Sequence, residues 1–113
     1  MIEIPQPIYL SGPMTGMLHY NYPAFAAAAL ELRAQGYTVV SPHEIAFGDE
    51  YPGQLDYHIY LRGALIALLT CQSVVRLPGW AKSFGATTEL AVAAALEMPV
   101  FDYVDGRIVE RAG

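Results

Sequence analysis

Ser73-Val74-Val75-Arg76-Leu77, then Pro78-Gly79-Trp80-Ala81-Lys82-Ser83-Phe84-Gly85, then Ala86-Thr87-Thr88-Glu89-Leu90-Ala91-Val92-Ala93-Ala94-Ala95-Leu96-Glu97 is the stretch that decides the fold. The first run is short, apolar and rich in valine, which reads as a buried strand. Proline and glycine then break it. The Ala-rich run that follows starts at about Gly85 or Ala86 and ends near Glu97, and it has the composition of a helix. A strand, a connection and a helix form most of one βαβ unit.

Working outward, the same unit recurs. Upstream, Ile8-Tyr9-Leu10 is a short apolar run that stops at Ser11-Gly12-Pro13. Residues 11–22 read as a loop, and Pro23 suits a first helical position with Asn21 or Tyr22 before it. That helix is expected to run to about Gln35, with Gly36 as its stop signal. Tyr37 to Val40 is the next strand, closed by Ser41-Pro42, and a polar loop over 43–54 leads to a helix over roughly 55–70. Downstream, Pro99 to Tyr103 is a strand, and Asp105-Gly106 is a hairpin signal that pairs Arg107 to Glu110 back as an edge strand.

The order β-α-β-α-β-α-β predicts an α/β fold with a mostly parallel sheet of four to five strands and right-handed crossovers. Residues 1–113 read as one domain, without repeats or linkers. In such sheets a ligand lies beyond the carboxyl ends of the strands, where the strand order reverses. The loops after the first and third strands are expected to flank that point, and they are the loops richest in glycine.

Bulk properties exclude several classes. The net charge is −5 and the six Lys and Arg are scattered, which argues against a nucleic-acid polymer as partner. A small anion needs no such cluster, because backbone N–H groups can hold one phosphate. Cys71 is the single cysteine, so the chain forms no internal disulfide, and its apolar setting marks it as a buried small hydrophobe. No signal-peptide layout and no membrane-length apolar run is present, so a cytoplasmic protein without a membrane partner is the expectation. His19, His43 and His58 lack metal-ligand spacing, and no motif calls for a metal or an organic cofactor. An apolar share of 54% in so short a chain, with Ala26 to Ala29 and Ala93 to Ala95 on helices, fits tight internal packing or a helix–helix interface in a homo-oligomer.

The two loops carry the chemistry. In Ser11-Gly12-Pro13-Met14-Thr15-Gly16 the glycines permit close backbone approach, and Ser11 and Thr15 offer hydroxyls to a sugar or phosphate. In the second loop, Ser83 precedes a helix start whose Gly85 to Thr88 N–H groups favour an anion. Glu89 lies one turn further on. Ala86 occupies the position that would make Glu89 part of a capping box. Glu89 therefore reads either as an ordinary helix-start acid or as a carboxylate kept ionised there to attack an anomeric carbon. Trp80 suits stacking on a base and suits packing across its own loop equally well. Lys82 can attract an anion, and Tyr57 and Tyr60 read as core or interface residues.

Taken together, Tyr9-Leu-Ser-Gly-Pro-Met-Thr-Gly16, Asn21-Tyr-Pro-Ala-Phe25, Leu77-Pro-Gly-Trp80 and Ser83-x-Gly-x-x-x-Glu89 resemble the nucleoside 2-deoxyribosyltransferase superfamily. Within it they resemble the 2'-deoxynucleoside 5'-phosphate N-hydrolases, and most of all a small bacterial and phage branch. The likeness spans roughly residues 7–101. It implies a three-layer flavodoxin-like or Rossmann-like fold and a homodimer or larger assembly. It also implies N-glycosidic bond cleavage, by hydrolysis or deoxyribosyl transfer, on a nucleotide or nucleoside. In that likeness Glu89 is the nucleophile at C1', Tyr9 an active-site tyrosine, Ser83 and Gly85 the 5'-phosphate positions, and the loop from Ser11 through Gly12 to Gly16 the sugar-phosphate loop.

The chain also departs from that family. Its members carry an aspartate on the second helix in a pattern like Tyr-x-Arg-x-Asp-Leu. Here the run is Tyr60-Leu61-Arg62-Gly63-Ala64-Leu65, so Ala64 stands at that position, and Gln72 replaces a later aspartate. Thr15 stands where the N-hydrolases place a phosphate-binding arginine, and a serine lent by a neighbouring subunit has no counterpart. A nucleotide-binding protein with weak or no catalysis is therefore the alternative expectation. Glu44, Asp49, Glu50 and Asp56 are nearby acids that read better as surface charge. A more distant comparison, with phosphoribohydrolases that release modified adenines, is weakened by the insert from Trp80 to Phe84.

Overall fold

A computed structural model of the chain describes residues 3–45 and 57–113. Five strands form one sheet: β1 (Ile8–Ser11), β2 (Val39–Val40), β3 (Ser73–Arg76), β4 (Val100–Val104) and β5 (Arg107–Glu110). Three helices connect them: α1 (Tyr22–Ala34), α2 (Tyr57–Leu68) and α3 (Phe84–Ala95). The order across the sheet is β2-β1-β3-β4-β5. The first four strands are parallel, and β5 pairs antiparallel with β4. The β4–β5 turn is the one expected, with Asp105 and Gly106 at φ 48° and 82°, as a two-residue hairpin loop requires.

Strand alternation sorts the core. Ile8 and Leu10 of β1, with Val75 and Phe101, pack against Phe25, Ala28, Ala29 and Leu32 of α1. Tyr9, Val74 and Val100 are their sequence neighbours, so they face the other way and meet Leu68, Cys71 and Ala93. Alanine at the buried points of α1 and α3 lets the backbones approach the sheet closely. Cys71 is free and buried, as expected.

The strand and helix boundaries differ from the sequence reading where the chain must close a helix. β2 is two residues long rather than four, because the Tyr37 N–H bonds back to Leu32 O at 3.1 Å and completes the end of α1 beyond Gly36. α3 stops at Ala95, because Glu97 adopts φ 57° and the Met98 N–H reaches Ala93 O at 2.9 Å. This is a helix stop without glycine. The expected start of the second helix, at residue 55, lies outside the described residues.

β1 sits between β2 and β3, so successive crossovers leave it in opposite directions. The reversal of strand order falls between β1 and β3, and the segments after these two strands open at that point. Among the described residues, no helix is long and apolar enough to cross a membrane.

Candidate active site

Tyr9 and Ser11 are two residues apart on β1 and therefore share one face of the sheet. That face meets α3, and both hydroxyls converge on Glu89. The Tyr9 phenol donates to Glu89 Oε2, and Ser11 Oγ donates to Oε1 at 2.9 Å. Glu89 is 5% exposed. Both carboxylate oxygens thus have a donor from the strand, at the floor of a cleft of about 240 Å³. The volume lies just below that of common ligand sites, roughly 300–1,000 Å³, and suits a small ligand or one part of a larger one. Gly12, Met14 and Thr15 form one wall, Tyr57, Tyr60 and Leu61 of α2 another, and Lys82, Ser83 and Gly85 a third.

The two loops touch. A Cβ on Gly12 would stand 2.9 Å from Leu77 Cβ, and one on Gly79, at φ 88°, would stand 3.2 Å from Pro13 Cγ. Both glycines are there because the turns after β1 and β3 pack directly on each other. Pro13 serves this junction, and Gly16 shapes the turn beyond it, at φ 82°. Neither Pro13 nor Gly16 lines the cleft. Ser11 is fully buried and addresses the carboxylate. Met14 and Thr15 do line the cleft.

At the start of α3, Ser83 is the N-cap and accepts from the Ala86 N–H at 3.2 Å. The Thr87 N–H bonds to Ser83 O at 2.9 Å. Of the amides expected to greet an anion, those of Ala86 and Thr87 are thus used by the cap. The cleft is left with the Ser83 hydroxyl hydrogen, the Phe84–Gly85 backbone and Lys82. Gly85 has a steric reason as well, since a Cβ there would come within 2.9 Å of the Tyr57 hydroxyl.

The ionisation of Glu89 departs from the sequence reading. It is the sixth residue of α3 and so lies beyond the turn where the helix dipole acts. Burial pushes its carboxyl up to about 7, against the two hydroxyl hydrogen bonds, which favour the charged form. Near neutrality it is therefore divided between acid and carboxylate. The phenols around it stay protonated. Tyr9 is raised well above its ordinary value by burial first and by Glu89 second, and burial and Glu89 raise Tyr57 and Tyr60 in the same order.

Other residues singled out in the sequence lie elsewhere. Trp80 does not line the cleft; its ring lies 4.1 Å from the Arg76 guanidinium. Arg76 was not foreseen. It is 2% exposed, at the end of β3, and its fork meets Asp102 of β4 at 2.5 and 3.0 Å. Asp102 in turn accepts from the Ala112 N–H at 2.8 Å and ties the C-terminal segment to the sheet. Burial would raise the Asp102 carboxyl, but the Arg76 fork outweighs it and holds the group low. Glu44 pairs with Arg33 at 2.6 Å, away from the cleft. Asp49, Glu50 and Asp56 lie outside the described residues. His43 bonds to Ser41 Oγ at 2.5 Å, and among the described residues no group of acids, His and Cys could hold a metal ion.

Sequence reasoning missed the α2 wall. Tyr57, Tyr60 and Leu61 follow i, i+3, i+4 spacing, which puts them on one helical stripe. That pattern is legible, but nothing local says whether such a stripe meets a core or a cleft. Pro42 and Phe84 also line the cleft without a prior signal. Ala64 is buried one turn beyond Tyr60.

The family model described as Domain of unknown function (DUF4406) matches residues 6–102, most of the chain, and the chain belongs to that family. No curated protein matches it. Two solved structures are similar. One is a 2-deoxyribosyltransferase from the psychrotolerant bacterium Bacillus psychrosaccharolyticus, described as a biocatalyst for the synthesis of antiviral and antitumoral nucleosides. It is 21% identical with a TM-score of 0.65, over 84% of this chain and 69% of that one. The other is a conserved protein from Enterococcus faecalis V583, 23% identical with a TM-score of 0.61, over 87% of this chain and 63% of that one. At these identities the likeness establishes the fold: a five-stranded, mostly parallel sheet with three helices, shared with a 2-deoxyribosyltransferase.

Proposed function

We propose that this DUF4406 protein cleaves the N-glycosidic bond of a nucleoside or nucleotide, as a hydrolase or a deoxyribosyltransferase, with Glu89 as the attacking carboxylate. The observation that carries the reading is the buried Glu89, held at the floor of the cleft by Tyr9 and Ser11 hydroxyls. A buried carboxyl group raised in a cleft and held there by a donor on each oxygen is the kind of group that functional sites use.

The chemistry follows from the residues. Ionised Glu89 attacks C1'; the C1'–O bond forms as the C1'–N bond breaks, and the electron pair leaves on the base. Water or a second base then opens the glycosyl ester and returns the carboxylate. Tyr9 and Ser11 aim the attacking oxygen. Ser83, Gly85 and Lys82 lie together on the wall where the 5' end of the ligand would sit, with or without a phosphate. The reading includes the superfamily resemblance and its flavodoxin-like layering. It also includes a single domain that works as a homodimer or larger assembly, for which the exposed Ile59 and Ile66 of α2, with Leu69 just beyond it, supply an apolar patch.

The test is to incubate the purified protein with a panel of nucleosides and nucleoside monophosphates and follow free base by chromatography. Release by wild type that is lost in Glu89→Gln is the expected result. Equal release by both proteins rules the assignment out.

A second reading, a ligand-binding protein without turnover, is favoured by Ala64. It is buried on α2 and offers no acid where the resembling enzymes place one. General acid–base help is worth roughly 10²–10⁴-fold. That reading predicts thermal stabilisation by a nucleoside or nucleotide with no base release, and activity gained on Ala64→Asp.

A further inference from the structure

Breaking an N-glycosidic bond deposits an electron pair on the base, and something in the cleft must receive that charge. The Ala64 methyl group cannot. One helical turn earlier on the same face stands Tyr60, which lines the cleft that holds Glu89. We propose that Tyr60 is the leaving-group residue of this site, donating its phenolic hydrogen to the ring nitrogen or exocyclic oxygen of the departing base. This rests on the N-glycosidase reading above.

Three observations support the assignment. The side chain is partly buried at a cleft wall, so its hydrogen bonds are partly shielded from water, and a donor aimed at developing charge counts most where water is excluded. Its hydroxyl donates to Met14 Sδ, and Met14 also lines the cleft. Burial and Glu89 both hold the phenol protonated, so it is a donor at every working pH. Tyr57, on the same stripe, faces Gly85 instead and belongs to the opposite end of the ligand.

The step balances without a proton leaving Tyr60. Glu89 gives one electron pair to C1', the C1'–N pair departs on the base, and Tyr60 hydrogen-bonds the resulting anion. The base takes its proton from water as it is released, and the water that opens the glycosyl ester returns a proton to solution.

The experiment compares two leaving groups in wild type and Tyr60→Phe. An ordinary purine nucleoside, or its 5'-phosphate, needs a donor on the base. The 7-methylated counterpart departs neutral and does not. Tyr60→Phe is expected to lower kcat/KM for the ordinary substrate by roughly a hundredfold and to leave the 7-methyl substrate within about twofold. An equal loss on both substrates, or no loss on either, overturns the assignment. So does a wild type that cleaves only the 7-methyl substrate, a result that leaves Glu89 as nucleophile intact. A wild type that releases base from no member of the nucleoside and nucleotide panel removes the N-glycosidase reading and this one with it. If Tyr60→Phe fails to fold, 3-fluorotyrosine at position 60 makes the phenol more acidic at nearly constant shape. Faster release of the ordinary base alone is then expected, and equal rates overturn the proposal.

Discussion

Replacing Glu89 by glutamine should make the protein more resistant to alkaline conditions while removing its chemistry. The carboxyl has an ordinary value of 4.5 and is raised to about 7 in the folded chain. The folded state therefore holds this proton more tightly than the unfolded state does. The stabilisation from the neutral acid is fully present below about pH 4.5, is lost progressively as pH rises through the folded value, and is level above about pH 7. A gap of about 2.5 units corresponds to about 3 kcal/mol. Glutamine titrates nothing, so the stability difference between variant and wild type should move by about 3 kcal/mol in favour of the variant between pH 4 and pH 8. At the acid end the two proteins should be close, because the neutral acid and the amide each present one acceptor and one donor to the Tyr9 and Ser11 hydroxyls, and a hydroxyl can turn to accept. Urea unfolding across the pH range reads this directly, and the relative Tm swing is on the order of 10 °C. Two parallel pH profiles would refute the reasoning, for they would mean that Glu89 is not desolvated in the folded chain.

The same titration predicts activity. If the ionised form attacks, kcat/KM for base release falls about tenfold per pH unit below pH 7 and is flat above it; a profile falling toward alkaline pH would give Glu89 the role of acid instead. Gly12→Ala drives a methyl group into Leu77 Cβ, 2.9 Å away on a neighbouring strand end. It should cost about 1–3 kcal/mol by urea unfolding and weaken ligand-induced thermal stabilisation, since it parts the two turns that frame the cleft. Asp102→Asn leaves the 2%-exposed Arg76 without its charge partner and should cost about 3–5 kcal/mol. The chain's single tryptophan, Trp80, lies against that guanidinium and reports the change through its emission.

The fold was largely legible because its signals are local. Each strand is a short apolar run, each connection is marked by glycine or proline, and Asp105-Gly106 names its own turn. The misses in boundary sit where the chain uses its hydrogen bonds to end a helix. Tyr37 has the composition of a strand residue, yet its N–H serves α1. Glu97 stops α3 in a conformation that glycine usually takes. Neither choice is written in propensity, because both depend on where the next strand must enter the sheet.

The residues of the candidate cleft were partly legible in the sequence, and its electrostatics were not. Glu89, Gly12, Ser83 and Gly85 stand out by residue type and spacing, and Tyr9 only through the family resemblance. The charge state of Glu89 depends on how deeply α3 presses onto β1, which no window of sequence contains. Alternation already places Tyr9 and Ser11 on one face, but it leaves open which helix covers that face. Once α3 does, one contact fixes both properties of the carboxyl group: the burial that makes ionisation costly, and the two hydroxyls that make it attainable. A cation in contact with Glu89 would lower its carboxyl; the groups that donate to it are instead the neutral hydroxyls of Tyr9 and Ser11. In the proposed reaction, neutral donors would then serve both partners, Tyr9 the attacking carboxylate and Tyr60 the departing base, without either one having to lose a proton.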